Sequence, residues 1–230
     1  TNVDDLQRLL EFLHISDTPV VGAIAVFNMV RGIIKSAPDI KDIDATPTGY
    51  LSTVLDNNEN EIATLVASGS NRVYVTIDEI PKDLQHAFVA IEDERFYDHN
   101  GIDLQGILRA GVRGITHGFH FSEGASTITQ QLLKNNVFTG WTSESSFSDK
   151  LERKLQEQYL AVQLEKSVSK DWILENYLNS INLGQNTLGV QSASRRYFNK
   201  DVSELNISES AVIAAITQNP SRYNPVSNPD

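Results

Sequence analysis

Beyond Pro81 the apolar residues of this chain fall at helical rather than strand spacing, and that restricts the greater part of it to a helix-built fold. Leu104, Ile107, Leu108, Gly111, Val112 and Ile115 follow the i, i+3, i+4, i+7 pattern of an amphipathic helix. Leu84, Ala87, Phe88 and Ile91 form a second such stripe. Asp149, with Glu152 three residues later, has the form of a capping box and predicts a helix running to about Lys166. Ser169 and Ser208 are expected to cap two further helices, and Asn219-Pro220 to stop the last. The expected class is mainly α.

Two other zones precede this one. Residues 1–37 read as an N-terminal helical or juxtamembrane segment, broken at Asp17-Thr18-Pro19. Residues 38–80 read as a small β-containing connector. Runs at Gly49–Leu55, Glu61–Ala67 and Arg72–Ile77 are separated by Asp56-Asn57-Asn58 and Ser68-Gly69-Ser70, a hairpin-like arrangement. Residues 81–230 form the main domain. The apolar run Val20–Val30 is interrupted by Asn28 and followed by Arg31, short of the roughly 20 residues of a spanning helix. It is either the remnant of a membrane anchor or a buried helix.

A net charge of -11 over 230 residues argues against a nucleic-acid binder, which needs a basic surface to neutralise phosphates. The absence of cysteine removes disulfides and thiolate metal sites. The distribution of charge says more than its sum. Between Leu104 and Ser143 the only acid is Glu123, against Arg109, Arg113, Lys134, His117 and His120. A locally positive segment in an acidic protein fits an anionic partner held at one place.

Three segments concentrate reactive side chains. The first, Ile91 to Gly101, holds Glu92, Asp93, Glu94, Arg95, Phe96 and His99. A carboxylate where an apolar face meets a polar one can serve as a general base, and Glu92 ends such a face. The second runs from Glu123 to Asn136. Gly124, Ser126 and Thr127 at a helix start offer free N–H groups and hydroxyls to an anion, with Gln130 and Lys134 at helical spacing behind them. The third contains Arg153, Lys154 and Glu157. These residues either form an ordinary i,i+4 surface pair or hold phosphate with cations that Glu157 orients. Together the segments supply a base, an anion cradle and fixed cations. That set suits a displacement in which a hydroxyl loses its proton and a phosphate-type group leaves.

The order and spacing of these residues resemble the signature motifs of the peptidoglycan glycosyltransferases (glycosyltransferase family 51), the transglycosylase domains of bifunctional class A penicillin-binding proteins and their monofunctional relatives. Glu92-Asp93-x-x-Phe96-x-x-His99-x-Gly101 resembles the first motif. Gly124-x-Ser126-Thr127-x-x-Gln130-Gln131-x-x-Lys134-Asn135 resembles the second, and Arg153-Lys154-x-x-Glu157 the third. Lys170 to Asn179 and Ala215 to Pro225 resemble the fourth and fifth. Asn182 to Asn186, and Tyr197-Phe198-Asn199 in place of a frequent Tyr-Phe-Gly, are small departures.

The resemblance implies a lysozyme-like helical domain that polymerises lipid II into glycan strands, forming β-1,4 linkages by inversion and releasing polyprenyl pyrophosphate. It implies Glu92 and Glu157 as catalytic residues, with Glu92 the base for the acceptor hydroxyl. Ser126, Thr127, Gln130, Gln131, Lys134, Asn135, Arg153 and Lys154 would bind substrate or pyrophosphate. Asp93, Phe96, His99, Gly101 and Gly124 would support them. It fixes no cofactor and leaves open a divalent cation, Mg or Mn, at Glu157. Its partners would be lipid II, the growing glycan, a membrane surface met through residues 104–121, and other cell-wall synthesis proteins, at the extracytoplasmic face of a bacterial cell membrane. His117 and His120 would sit in a mobile loop there. The competing readings are a lysozyme-like glycan-cleaving enzyme and a non-catalytic wall-assembly module.

Overall fold

The computed structural model of the chain describes residues 19–65, 71–116, 125–138 and 146–228, and within these it is helical apart from one hairpin. The elements are α1 (Pro19–Ser36), β1 (Ser52–Leu55), β2 (Glu61–Leu65), α2 (Lys82–Glu92), α3 (Leu104–Thr116), α4 (Ile128–Asn136), α5 (Phe147–Leu164), α6 (Lys170–Ser180), α7 (Val190–Phe198) and α8 (Ile207–Ile216). The mainly α expectation, with a hairpin before the helices, holds.

Apolar burial sets the arrangement. Helix α4 packs between α5 and α6, α2 packs on α8, and α7 touches both α6 and α8. Leu84 and Phe88 of α2, Leu132 and Leu133 of α4, Leu160 of α5, and Leu174, Tyr177 and Leu178 of α6 are almost wholly removed from water. The Phe88 and Tyr177 rings meet edge-on at 6.3 Å. Each such side chain contributes about 1.5–3 kcal/mol by burial, so the core is built chiefly from these helix faces.

Several helix ends differ from their sequence expectation. Helix α5 opens at Ser146, not at Asp149, because the Ser146 hydroxyl accepts from the Ser148 N–H. Asn206, not Ser208, caps α8, in a reciprocal box with Glu209. Ser169 caps α6 as expected. Helix α8 ends at Ile216, before Asn219-Pro220 is reached. Asn199 closes α7 at φ 53°, in the left-handed region that asparagine tolerates better than most residues, which accounts for its standing where glycine is frequent.

Strands β1 and β2 pair antiparallel around the Asp56 turn, whose carboxylate accepts from the Asn58 and Asn60 N–H groups. The run Arg72–Ile77 does not join them as a strand. It makes one bridge, Tyr50 to Arg72, and then lies along α6. There Asn179 accepts from the Val75 N–H at 3.0 Å and donates to its carbonyl at 2.8 Å, while Glu175 accepts from the Ile77 N–H at 2.6 Å. Side chains of a helix thus satisfy backbone groups that a neighbouring strand would otherwise pair.

Helix α1 packs on α5, where Ser36 links to Glu152 and Gln156. Ile24 and Phe27 stay exposed, which corrects the buried-helix reading of this run. Among the described residues no helix is long and apolar enough to cross a membrane. Helix α3 keeps Leu104, Leu108 and Val112 exposed on one stripe, at 69%, 69% and 56%.

Candidate active site

Glu92 is the last residue of α2, and its half-buried carboxylate is held from two other helices. Gln131 of α4 donates to Oε2 at 2.8 Å. Thr217, just past α8, donates to Oε1 at 2.6 Å, and Gln218 lies at 3.4 Å from the same oxygen. Behind Gln131, the Tyr177 hydroxyl donates to the amide oxygen at 3.4 Å. Burial, with the charges of Glu92 and Asp93, raises the Tyr177 phenol well above its usual range, so it stays a donor.

Asp93 turns the other way. Its buried carboxylate accepts from His99 Nε2 at 2.9 Å and from the Ile128 N–H at 3.0 Å, tying the end of α2 to the start of α4. The Gly101 N–H donates to His99 Nδ1, which assigns the ring proton to Nε2. Phe96 is fully buried beneath this pair, edge-on to the His99 ring. Gly101 takes φ 91°, and a Cβ there would stand 2.5 Å from the Ala161 carbonyl carbon. Only glycine allows that approach. The Gly101 carbonyl in turn accepts from Thr127 at 2.8 Å and from Gln130 at 3.3 Å.

Thr127 caps α4 by accepting from the Gln130 N–H. Gln130 is buried, and its Oε1 meets no donor among the described residues. Ser126 accepts from Lys154 Nζ at 2.7 Å. On α5, Glu157 is completely buried, with Arg153 on Oε1 and Lys154 Nζ 3.2 Å from Oε2. This is no solvated surface pair. Lys134 faces the same group: burial pulls its ammonium below the usual lysine range, Glu157 and Glu92 oppose that, and Lys154 and Arg153 reinforce it. Asn135 sits half-buried in the last turn of α4.

Two clefts meet at Ser126. One, of about 110 Å³, has Glu92, Arg95, Asp103 and Arg109 on its walls. The other, of about 190 Å³, is lined by Gln130, Gln131, Lys134, Arg153, Lys154 and Glu157. A carboxylate thus opens on one cleft and a set of cations on the next, as a displacement with an anionic leaving group requires. The family model described as Transglycosylase matches residues 58–230. The chain belongs to the transglycosylase family.

Similar relatives of this transglycosylase chain include penicillin-binding protein 1A of Clostridium acetobutylicum, 44% identical over 210 residues, covering 89% of this chain and 26% of the relative. Penicillin-binding protein 1A of Clostridium perfringens (strain 13) is 42% identical over 201 residues, 86% of this chain and 28% of the relative. Penicillin-binding protein 1F of Bacillus subtilis is 46% identical over 179 residues, 78% of this chain and 24% of the relative. The chain spans about a quarter of the length of these relatives.

Gly124, His117 and His120 lie outside the described residues, as do Glu123, the turn Ser68-Gly69-Ser70 and the 117–121 part of the predicted membrane-facing stretch. The structure adds Thr217 and Gln218, which sequence reasoning did not single out, and it places Tyr177 of the fourth motif behind Gln131. Thr217 and Gln218 fall in the unspecified positions of the fifth motif, so proximity to that motif was the one signal available. A divalent cation does not fit at Glu157. Both of its oxygens face cationic side chains, and among the described residues no group of three acids, histidines or cysteines gathers to hold a metal.

Proposed function

We propose that this transglycosylase polymerises lipid II into peptidoglycan glycan strands at the extracytoplasmic face of a bacterial membrane. The observation that carries the reading is the meeting of the Glu92 cleft and the cation-lined cleft at Ser126. Glu92 takes the proton of the acceptor 4-hydroxyl, and that oxygen forms the new bond to the anomeric carbon of the growing chain from the face opposite the leaving group. The bond from that carbon to the pyrophosphate oxygen breaks, which gives inversion and a β-1,4 linkage. Lys134, Arg153 and Lys154 stabilise the departing pyrophosphate, with Ser126, Thr127, Gln130 and Asn135 around it. Glu157 holds the Arg153 and Lys154 heads at fixed positions. Asp93, Phe96, His99 and Gly101 lock the loop that joins the two clefts, and Gln131 orients Glu92.

The exposed stripe of α3 supports a bilayer surface as the place of reaction, because an apolar helix face beside arginine suits an interfacial position. The boundaries 1–37, 38–80 and 81–230 are part of the same proposal, as are contacts with other wall-synthesis proteins. Hydrolysis of finished glycan has no use for three cations on one cleft. Incubating the protein with lipid II in detergent, and separately with preformed glycan, tests the reading. Polymer growth from lipid II is expected. Cleavage of glycan without any polymer from lipid II would replace this reading with the hydrolytic one.

A further inference from the structure

The Thr217 hydroxyl faces two acceptors with one proton. Glu92 Oε1 lies 2.6 Å away and the Ala214 carbonyl 2.7 Å away. A hydroxyl can donate to only one of them at a time, but it can also accept. The other groups hydrogen-bonded to Glu92 or to the Thr217 hydroxyl differ in their present orientation. The Gln131 and Gln218 amide nitrogens only donate, and the Ala214 carbonyl only accepts. Thr217 is the one hydroxyl contact of Glu92 among the described residues, and it serves the carboxyl group in both protonation states by turning a single O–H bond, whereas an amide would have to turn its whole head.

We propose that Thr217 is a positioning residue that switches hydrogen-bond direction when Glu92 gains its proton. The proposal rests on Glu92 being the base. While Glu92 is ionised, Thr217 donates to Oε1. As the acceptor O–H bond breaks and its proton passes to the Glu92 carboxyl, Thr217 turns its own proton to the Ala214 carbonyl. Its oxygen then accepts from the new Glu92 O–H. No proton is gained or lost by Thr217, and neither state of Glu92 is left without a partner. A fixed donor at this position would favour the ionised carboxylate over the protonated carboxyl group, because the oxygen of a carboxyl O–H is a weaker acceptor than a carboxylate oxygen.

The placement of Thr217 follows from packing rather than from local sequence. Helix α8 packs on α2, and its last turn brings residue 217 against the end of α2. The titratable or charged groups facing Glu92 are Asp93, Glu94 and Arg95 beside it, Asp103 and Arg109 on the same cleft, Lys134 from α4 and Tyr177 from α6, whereas the contacts at Oε1 itself are Thr217 and Gln218.

The test compares wild type with Thr217→Val, Thr217→Ser and Glu92→Gln, using labelled lipid II across pH, with thermal melts alongside. Thr217→Val is expected to lower kcat about tenfold to a hundredfold, the size of one charge-assisted hydrogen bond, with KM within about twofold. The acid limb of kcat/KM should move to higher pH, because a donor to the charged form is gone. Thr217→Ser should restore activity to within about threefold. If the valine variant melts early, Thr217→Ala provides the same comparison without the second methyl. A Thr217→Val or Thr217→Ala enzyme with wild-type kcat and an unmoved acid limb overturns the proposal. So does a Thr217→Ser enzyme as slow as the valine variant. A Glu92→Gln enzyme as fast as wild type removes the base assignment and the switch with it, while lipid II polymerisation itself would stand.

Discussion

Glu157 has exchanged water for two cationic heads, and this decides how the residue behaves when altered. A fully buried carboxylate is tolerated only while its charge is compensated, and Arg153 and Lys154 are compensated by it in return. Glu157→Gln leaves two cations and Lys134 facing one another. We expect a loss of about 2 to 4 kcal/mol, less than a fully sealed pair because Lys154 remains partly exposed. In a chain of this size that is roughly a 5 to 15 °C fall in Tm, readable by calorimetry. An unchanged Tm would mean that the pair contributes nothing. Lys134 carries a pH prediction. Burial lowers its pKa, so it loses its charge at lower pH than a free lysine, and kcat/KM should begin to fall below about pH 10.4. Lys134→Arg keeps its charge throughout and should shift that alkaline limb upward. An identical limb in the arginine variant would assign it to another group.

At the scale of elements, α3 behaves unlike its neighbours. Most helices turn their apolar side to the core, whereas Leu104, Leu108 and Val112 face outward. Leu108→Glu should leave Tm within about 1 °C, since an exposed side chain contributes little to folding. Binding to anionic vesicles in a sedimentation assay should drop about tenfold or more, the value of one leucine withdrawn from an apolar phase. Equal vesicle binding would remove α3 from the membrane reading. The apolar period of α3 was legible in the sequence, but not which side of it faces the core, because period alone carries no direction. The caps show a related limit. Asp149-x-x-Glu152 and Asn206-x-x-Glu209 have the same form, yet only the second is used, because Ser146 captures the start of α5 first. Glu175 and Asn179 fall in a motif but grip the connector, a role visible only once residues 72–77 lack a strand partner.

Over the whole molecule, Glu92 depends on α2, α4 and α8, and its contact with Thr217 joins residues 125 positions apart. Motif spacing identified the carboxylate; only the packed chain identifies what holds it. The cation cleft likewise needs α4 and α5 packed together, so it exists in the folded state alone. A ligand that fills it must then stabilise the fold. Inorganic pyrophosphate carries the charge of the proposed leaving group without its lipid, and at tenfold excess over its dissociation constant it adds about 1.4 kcal/mol. That corresponds to a rise of about 3 to 6 °C in Tm. The rise should vanish in Lys134→Ala and Arg153→Ala and persist in Glu92→Gln, because Glu92 opens on the other cleft. Sulfate at matched ionic strength controls for screening by salt. A protein of net charge -11 repels anions at long range, so a specific rise with pyrophosphate would report the local cations overcoming that field. If pyrophosphate and sulfate move Tm equally, the cleft does not select for a pyrophosphate group and the leaving-group assignment fails.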